Sequence, residues 1–214
     1  KVYYQVWALL GIGGMILALR LWRRGGWRRG MVLLSGILLC ACFYYPVAGA
    51  YTSAGGYQGE RTLDGTAFLA GESPAEYGAF VWLRAHAQPG DLLVEAPGEE
   101  YASWTNRLSA WTGVPTILGW AGHEIQWRGS DQEVLPRRRD INMIYTSSDE
   151  GEVLALMQKY GATYLYVGDY ERDSYRLGPS ELDWYASFLD VCYAEGDVRL
   201  YRVPGEGAKA ALSP

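Results

Sequence analysis

The chain has 214 residues, with 24 acidic and 19 basic side chains and a formal net charge of −5 at pH 7. That balance argues against a nucleic-acid partner, and a chain with only two histidines, His86 and His123, lacks the donors for a His-based zinc site. Cys40 and Cys42 sit inside an apolar run and Cys192 stands alone, so the polar part must fold without a disulfide; about 160 residues suffice for that.

Two apolar runs fill the first fifty-odd positions. Val2 to Leu21 carries no charge except Arg20 near its end, and Met31 to Tyr51 carries none. At about 1.5 Å per residue each run is long enough for a bilayer core of about 30 Å. Between them, residues 20–29 hold five Arg and no acid, and the first acid anywhere is Glu60. By the positive-inside rule this connector is cytoplasmic and everything after about residue 52 is extracytoplasmic. Trp22, Trp27, Tyr44, Tyr45 and Tyr51 stand where interfacial aromatics belong. Small residues (Gly11, Gly13, Gly14, Ser35, Gly36) predict close packing against other spans, and Pro46 a kink. A chain that begins at a span predicts further spans upstream. The expected organisation is thus two transmembrane helices over 1–52, a membrane-proximal connection over 53–72, an α/β domain over 73–203 and a disordered tail over 204–214.

Within the domain, Ser73-Pro74-Ala75-Glu76 has the form of a capping box opening a helix that Pro89-Gly90 ends. Asp91 to Ala96 reads as a strand, followed by a loop at Pro97 to Tyr101. Trp104, Leu108 and Trp111 recur at helical spacing over 100–111, a stripe better suited to a core than to a ligand. Thr116-Ile117-Leu118 reads as a second strand. The Arg137-Arg138-Arg139 run fits a helix face paired with acids, or an anion site. Asp149 caps a helix that Gly161 closes. Ala162 to Gly168 is the strongest strand signal, Ser180 caps a short helix, and 191–193 with 198–203 form a hairpin. The alternation predicts two transmembrane α-helices followed by an α/β domain with a small, mostly parallel sheet and a C-terminal hairpin.

The chemistry concentrates in Leu118 to Gly129. This stretch holds Trp120 and Trp127, three glycines, and the polar series His123, Glu124, Gln126 and Arg128. Read as a loop at a strand end, it offers indole walls for sugar faces and a guanidinium fork for phosphate or carboxylate. The same residues would also serve as a Trp-Arg-Glu network that pins a loop. His123-Glu124 opens like a zinc-protease helix, but Trp127 stands where the second His should be. His123 fits either a general base or a hydrogen-bonded structural imidazole. In a parallel sheet the loops after strands gather at one edge, which would bring Glu99, Glu100, His123, Glu124, Arg128, Glu171 and Arg172 together.

The runs Glu60 to Gly65, Thr112 to Trp120, Gly122-His123-Glu124-Ile125-Gln126-Trp127-Arg128-Gly129 and Tyr160 to Gly168, with Glu171-Arg172, resemble the C-terminal part of the YYY-type (Chlor_Arch_YYY domain) membrane protein family. Its architecture is similar to integral-membrane glycosyltransferases that use polyprenyl-phosphate-linked sugars. The resemblance implies a catalytic acid in an exterior loop upstream and a domain that covers a membrane-embedded active site. Arg128 would then contact phosphate, Trp120 and Trp127 would stack on sugar, and His123 and Glu124 would bind hydroxyls. The implied partners are membrane lipid, a lipid-phosphate-linked sugar and upstream helices of the same protein. No cofactor is called for in this chain, and a divalent cation in the full-length protein is left open. A non-enzymatic glycan- or protein-binding module, or a domain that only stabilises the transmembrane bundle, are the alternatives.

Overall fold

A computed structural model describes residues 2–59, 62–102 and 104–204. The expected tail therefore lies almost wholly outside the described residues, as do Glu60 and Arg61. The chain divides into two units at Leu63/Asp64.

The first unit consists of helices α1 (Val2–Arg24), α2 (Trp27–Cys42) and α3 (Tyr44–Ser53). Tyr3–Arg24 and Trp27–Ser53, with mean hydropathies of 1.5 and 2.0, are long and apolar enough to cross a membrane. Gly25 and Gly26 turn the chain between them at φ 70° and 62°, a region open to glycine at little steric cost. The α2–α3 break falls at Phe43, just ahead of Pro46, which has no N–H to return to the Cys42 carbonyl. Among the described residues, a Cβ at Gly11, Gly13, Gly14 or Gly36 would meet nothing within 4 Å.

The second unit runs α4 (Ala67–Glu72), α5 (Pro74–His86), β1 (Leu93–Val94), α6 (Arg107–Thr112), α7 (Ala121–Arg128), α8 (Val134–Thr146) and α9 (Glu150–Tyr160). It continues with β2 (Tyr164–Val167), α10 (Asp169–Tyr175), α11 (Pro179–Ala186), β3 (Asp190–Glu195) and β4 (Val198–Arg202). The sheet order is β1-β2-β4-β3. It is mixed, not mostly parallel as expected: only β1 and β2 pair in parallel, while β4 runs antiparallel to both β2 and β3. The returning arm of the hairpin, β4, lies directly beside β2. The expected strand at Thr116–Leu118 shrinks to one parallel bridge, Leu93 to Thr116. Pro115 accepts from Leu93 N at 2.8 Å but has no N–H to continue the ladder.

Side chains alternate across the sheet. Val94, Leu165, Val167 and Tyr201 face a core with Ile141, Ile144, Tyr145, Val153, Met157 and Tyr185 from α8, α9 and α11. Leu93, Tyr164, Tyr166 and Leu200 face a second core with Phe80 and Leu83 of α5 and Leu108 of α6. Helices thus cover both faces, so all four β2 residues are buried. Tyr145 ties the first layer to the sheet: its hydroxyl donates to Tyr166 O at 2.7 Å, with Val94 O at 3.2 Å.

Local signals divide by how strongly the backbone needs them. Asp149 accepts from Gly151 N and Glu152 N, and Gly161 closes α9 at φ 67°. The expected helix over 100–111 is confined to α6, because Asn106 takes a left-handed φ of 53° just before it. Pro74 opens α5 as expected, yet Ser73 makes no side-chain cap and Glu76 turns inward. Gly178, rather than Ser180, precedes α11, and Glu181 reaches back to its N–H at 2.8 Å. The Arg137 guanidinium bonds Ile117 O at 3.1 Å and pairs with Glu133, the structural alternative for the Arg run.

One glycine at the end of β2 has no room for a side chain. A Cβ on Gly168 would lie 2.2 Å from the hydroxyl oxygen of the buried Tyr166. Gly168→Ala is expected to destabilise the second unit by about 1–3 kcal/mol, read as a lower denaturation midpoint with an unchanged slope.

Candidate functional site

Three segments leave the sheet at the carboxyl ends of its parallel strands: residues 95–106 after β1, 117–128 after the Thr116 bridge and 168–175 after β2. Such an edge leaves backbone N–H groups without sheet partners, and here buried carboxylates accept them. Glu171 Oε1 accepts from Ala96 N at 3.0 Å and Oε2 from Gly168 N at 3.1 Å, clasping the ends of β1 and β2. Glu95 accepts from Leu108 N at 2.8 Å and Ser109 N at 3.1 Å at the start of α6. Glu76 of α5 accepts from Arg107 Nη1 at 2.7 Å and from the Tyr166 hydroxyl at 3.2 Å. All three carboxylates are buried. Burial pushes Glu171 up to about 8 and Glu95 up to about 7; the hydrogen bonds each accepts oppose the rise, while the charge of Glu95 adds to it at Glu171 and that of Glu76 at Glu95.

The outer layer of this edge is built on α7. The stretch expected to be a loop is helical because its glycines serve as boundaries. Gly119 precedes it, and Gly129 closes it at φ 71°. Gly122 lies inside the first turn because Glu100 packs against it: its N–H donates to Glu100 Oε1, and a Cβ would come 2.6 Å from that oxygen. This contact holds the Glu100 carboxyl below its usual range.

Helical spacing puts His123 and Trp127 in one row and Glu124 and Arg128 in the next. Tyr101, Trp120 and His123 form a ring cluster with centroid separations of 4.9 to 5.5 Å. His123 Nε2 lies 3.1 Å from the Tyr101 hydroxyl, while its Nδ1 is buried with no partner among the described residues. Trp120 Nε1 donates to Thr105 Oγ1 at 3.3 Å. Trp127 and Tyr101 are 77% and 79% exposed. Glu124 Oε1 accepts from Gly119 N at 2.9 Å, and its other oxygen accepts from Arg128 Nε at 3.2 Å. Arg128 Nη1 bonds Glu133 at 2.9 Å, so its fork is engaged on two sides.

Trp120, His123, Glu124, Gln126, Trp127 and Arg128 therefore share α7 and its N-cap, and Gln126 is exposed there. Glu171 and Arg172 do not join them. Segment 169–175 is helix α10, not a loop, and it turns Glu171 into the interior, where its carboxylate holds backbone instead of facing a ligand. Arg172 pairs with Asp197 of the β3–β4 turn at 3.1 Å and with Asp169 at 3.6 Å. Sequence reading missed Glu76, Glu95, Tyr101 and Arg107. Glu95 did leave a signal, as a carboxylate inside Leu92-Leu93-Val94-Glu95-Ala96; a charge in a buried run must find hydrogen bonds.

No family model, curated protein or solved structure matches the chain.

Carboxyls whose pKa is raised by folding contribute stability that is complete below about pH 4.5 and is lost as pH rises through about 7 to 8. The second unit is thus expected to lose denaturant resistance from about pH 4.5 to about pH 8 and to level off above that. Glu171→Gln should flatten that slope, as read by chemical denaturation of the whole chain in nanodiscs at each pH.

Proposed function

We propose that the chain is part of a polytopic, glycosyltransferase-like membrane protein acting on lipid-phosphate-linked sugar, and that its α/β unit binds saccharide on the α7 surface. The observation that carries this reading is the pairing of exposed rings with fixed polar groups. Tyr101 and Trp127 offer exposed apolar faces, the half-buried Trp120 packs against Tyr101, and the Glu124–Arg128 pair on the same helix is set in place by Gly119 and Glu133. Aromatic faces next to preorganised donors and acceptors suit the mixed C–H and hydroxyl surface of a sugar ring. Because Arg128 is already held by two carboxylates, it serves hydroxyl recognition better than capture of a phosphate, which would have to displace them.

The two apolar helices, each long enough to cross a membrane, support the membrane assignment. The Arg-rich connector and the acids confined to Glu60 and beyond support an extracytoplasmic position for the second unit. In this reading bond-making belongs to residues outside this chain. A binding module with no catalytic partner is the second reading, favoured by the engagement of Glu124 and Arg128 with one another, which leaves them positioned but not poised for proton transfer.

The whole chain in nanodiscs, titrated calorimetrically with glucose, mannose, N-acetylglucosamine and their trimers, is expected to bind at least one of these. Trp127→Ala and Tyr101→Ala should weaken that binding about tenfold with unchanged thermal midpoints. Equal affinity in the variants, or no binding to any of the sugars, would count against the assignment.

A further inference from the structure

The same strand edge holds a second recess that α7 does not line. It is a cleft of about 460 Å³ bounded by Glu76 of α5, Trp104 ahead of α6, Arg107 at its start, and Asp169, Tyr170 and Asp173 of α10. Its size lies within the range of small-molecule sites, and its place at the carboxyl ends of β1 and β2 is where open α/β sheets hold ligands.

The wall chemistry narrows the ligand. Glu76 is 4% exposed and held on both oxygens, by Arg107 and by the Tyr166 hydroxyl. The Arg107 guanidinium also lies 5.3 Å from the centre of the Trp111 ring, which fixes its plane. Arg107 is committed to Glu76, and Asp169 lies 3.6 Å from Arg172. An incoming anion would meet carboxylates at Glu76, Asp169 and Asp173 beside a guanidinium already neutralised, so the cleft repels phosphate. A neutral polyol suits it. Guanidinium N–H groups can donate to one hydroxyl while a carboxylate accepts from its neighbour, and Trp104, 56% exposed, presents an indole face with the Tyr170 ring nearby.

We propose that this cleft is a second saccharide subsite, taking a neutral sugar unit beyond the one bound on α7. The proposal rests on the saccharide reading above and adds that the domain recognises a chain of at least two units. Segment 97–106 joins the two places: Tyr101 and Thr105 contact α7 residues, and Trp104 lines the cleft.

The test is amide exchange on the whole chain in nanodiscs with three probes: glucose, maltotriose and farnesyl-phosphate-linked glucose. Maltotriose is expected to slow exchange in both 121–128 and 169–174, and either glucose probe in 121–128 alone. Trp104→Ala and Asp173→Ala, both at exposed positions, should cut maltotriose affinity about tenfold and leave glucose affinity and thermal midpoint unchanged. Protection of 121–128 by maltotriose without protection of 169–174 overturns the subsite and leaves the α7 reading standing. Protection of 169–174 by the phosphate-linked monosaccharide overturns its neutral, second-unit character. Absence of protection in both segments with every probe overturns the subsite, while the α7 reading falls if the calorimetric titrations also find none of the sugars bound.

Discussion

The clasp of Glu171 across the ends of β1 and β2 is the contact on which the rest of the second unit depends. Two parallel strands of two and four residues supply few ladder bonds of their own. A single carboxylate that accepts one N–H from each strand end closes the pair where the sheet stops. Glu95, one residue before Ala96, repeats the device toward α6, and Glu76 ties α5 to Arg107 and Tyr166. Glu76 adds to the raised proton affinity of Glu95, and Glu95 to that of Glu171. With the buried Thr105 and Asn106 nearby, the three carboxylates form one polar seam through a mostly aliphatic and aromatic core. A half-satisfied seam of this kind would cost more than an apolar core, which is why both oxygens of each acid are occupied.

How far the sequence could be read follows the distance over which each element is determined. Asp149 and Gly161 fix the ends of α9 through bonds to residues a few positions away, and both were legible. So were the two apolar runs, the Ala162–Gly168 strand and the C-terminal hairpin. Sheet polarity was not, because the choice that seats β4 against β2 is made by contacts between Tyr164–Val167 and Arg199–Arg202. Nor was the inward turn of Glu171: its local context, Gly168-Asp169-Tyr170-Glu171-Arg172-Asp173, is as polar as any surface loop, and besides the nearby Gly168 N–H its carboxylate is held by Ala96, 75 residues earlier.

The α7 stretch shows the same limit in another form. Its composition marked it as the chemically richest part of the chain, and the structure gathers six of its side chains on one short helix and its cap. Its glycines argued for a loop because glycine permits unusual backbone angles, yet only Gly129 uses a positive φ there. Gly122 is required for a different reason, the close approach of Glu100. Composition pointed to the place; the backbone form depended on a neighbour 22 residues away.

The two margins of the sheet carry a further consequence. Beside β1 the only addition among the described residues is one bridge at Thr116, with a proline before it and the start of α7 soon after. On the far margin β3 is interrupted by a bulge between Val191 and Tyr193 and bears Asp190 and Glu195 at its ends. Neither margin offers a straight, uncharged row of amides and carbonyls onto which another strand could register. Both margins thereby work against copies zipping edge to edge into a shared sheet when they are crowded side by side.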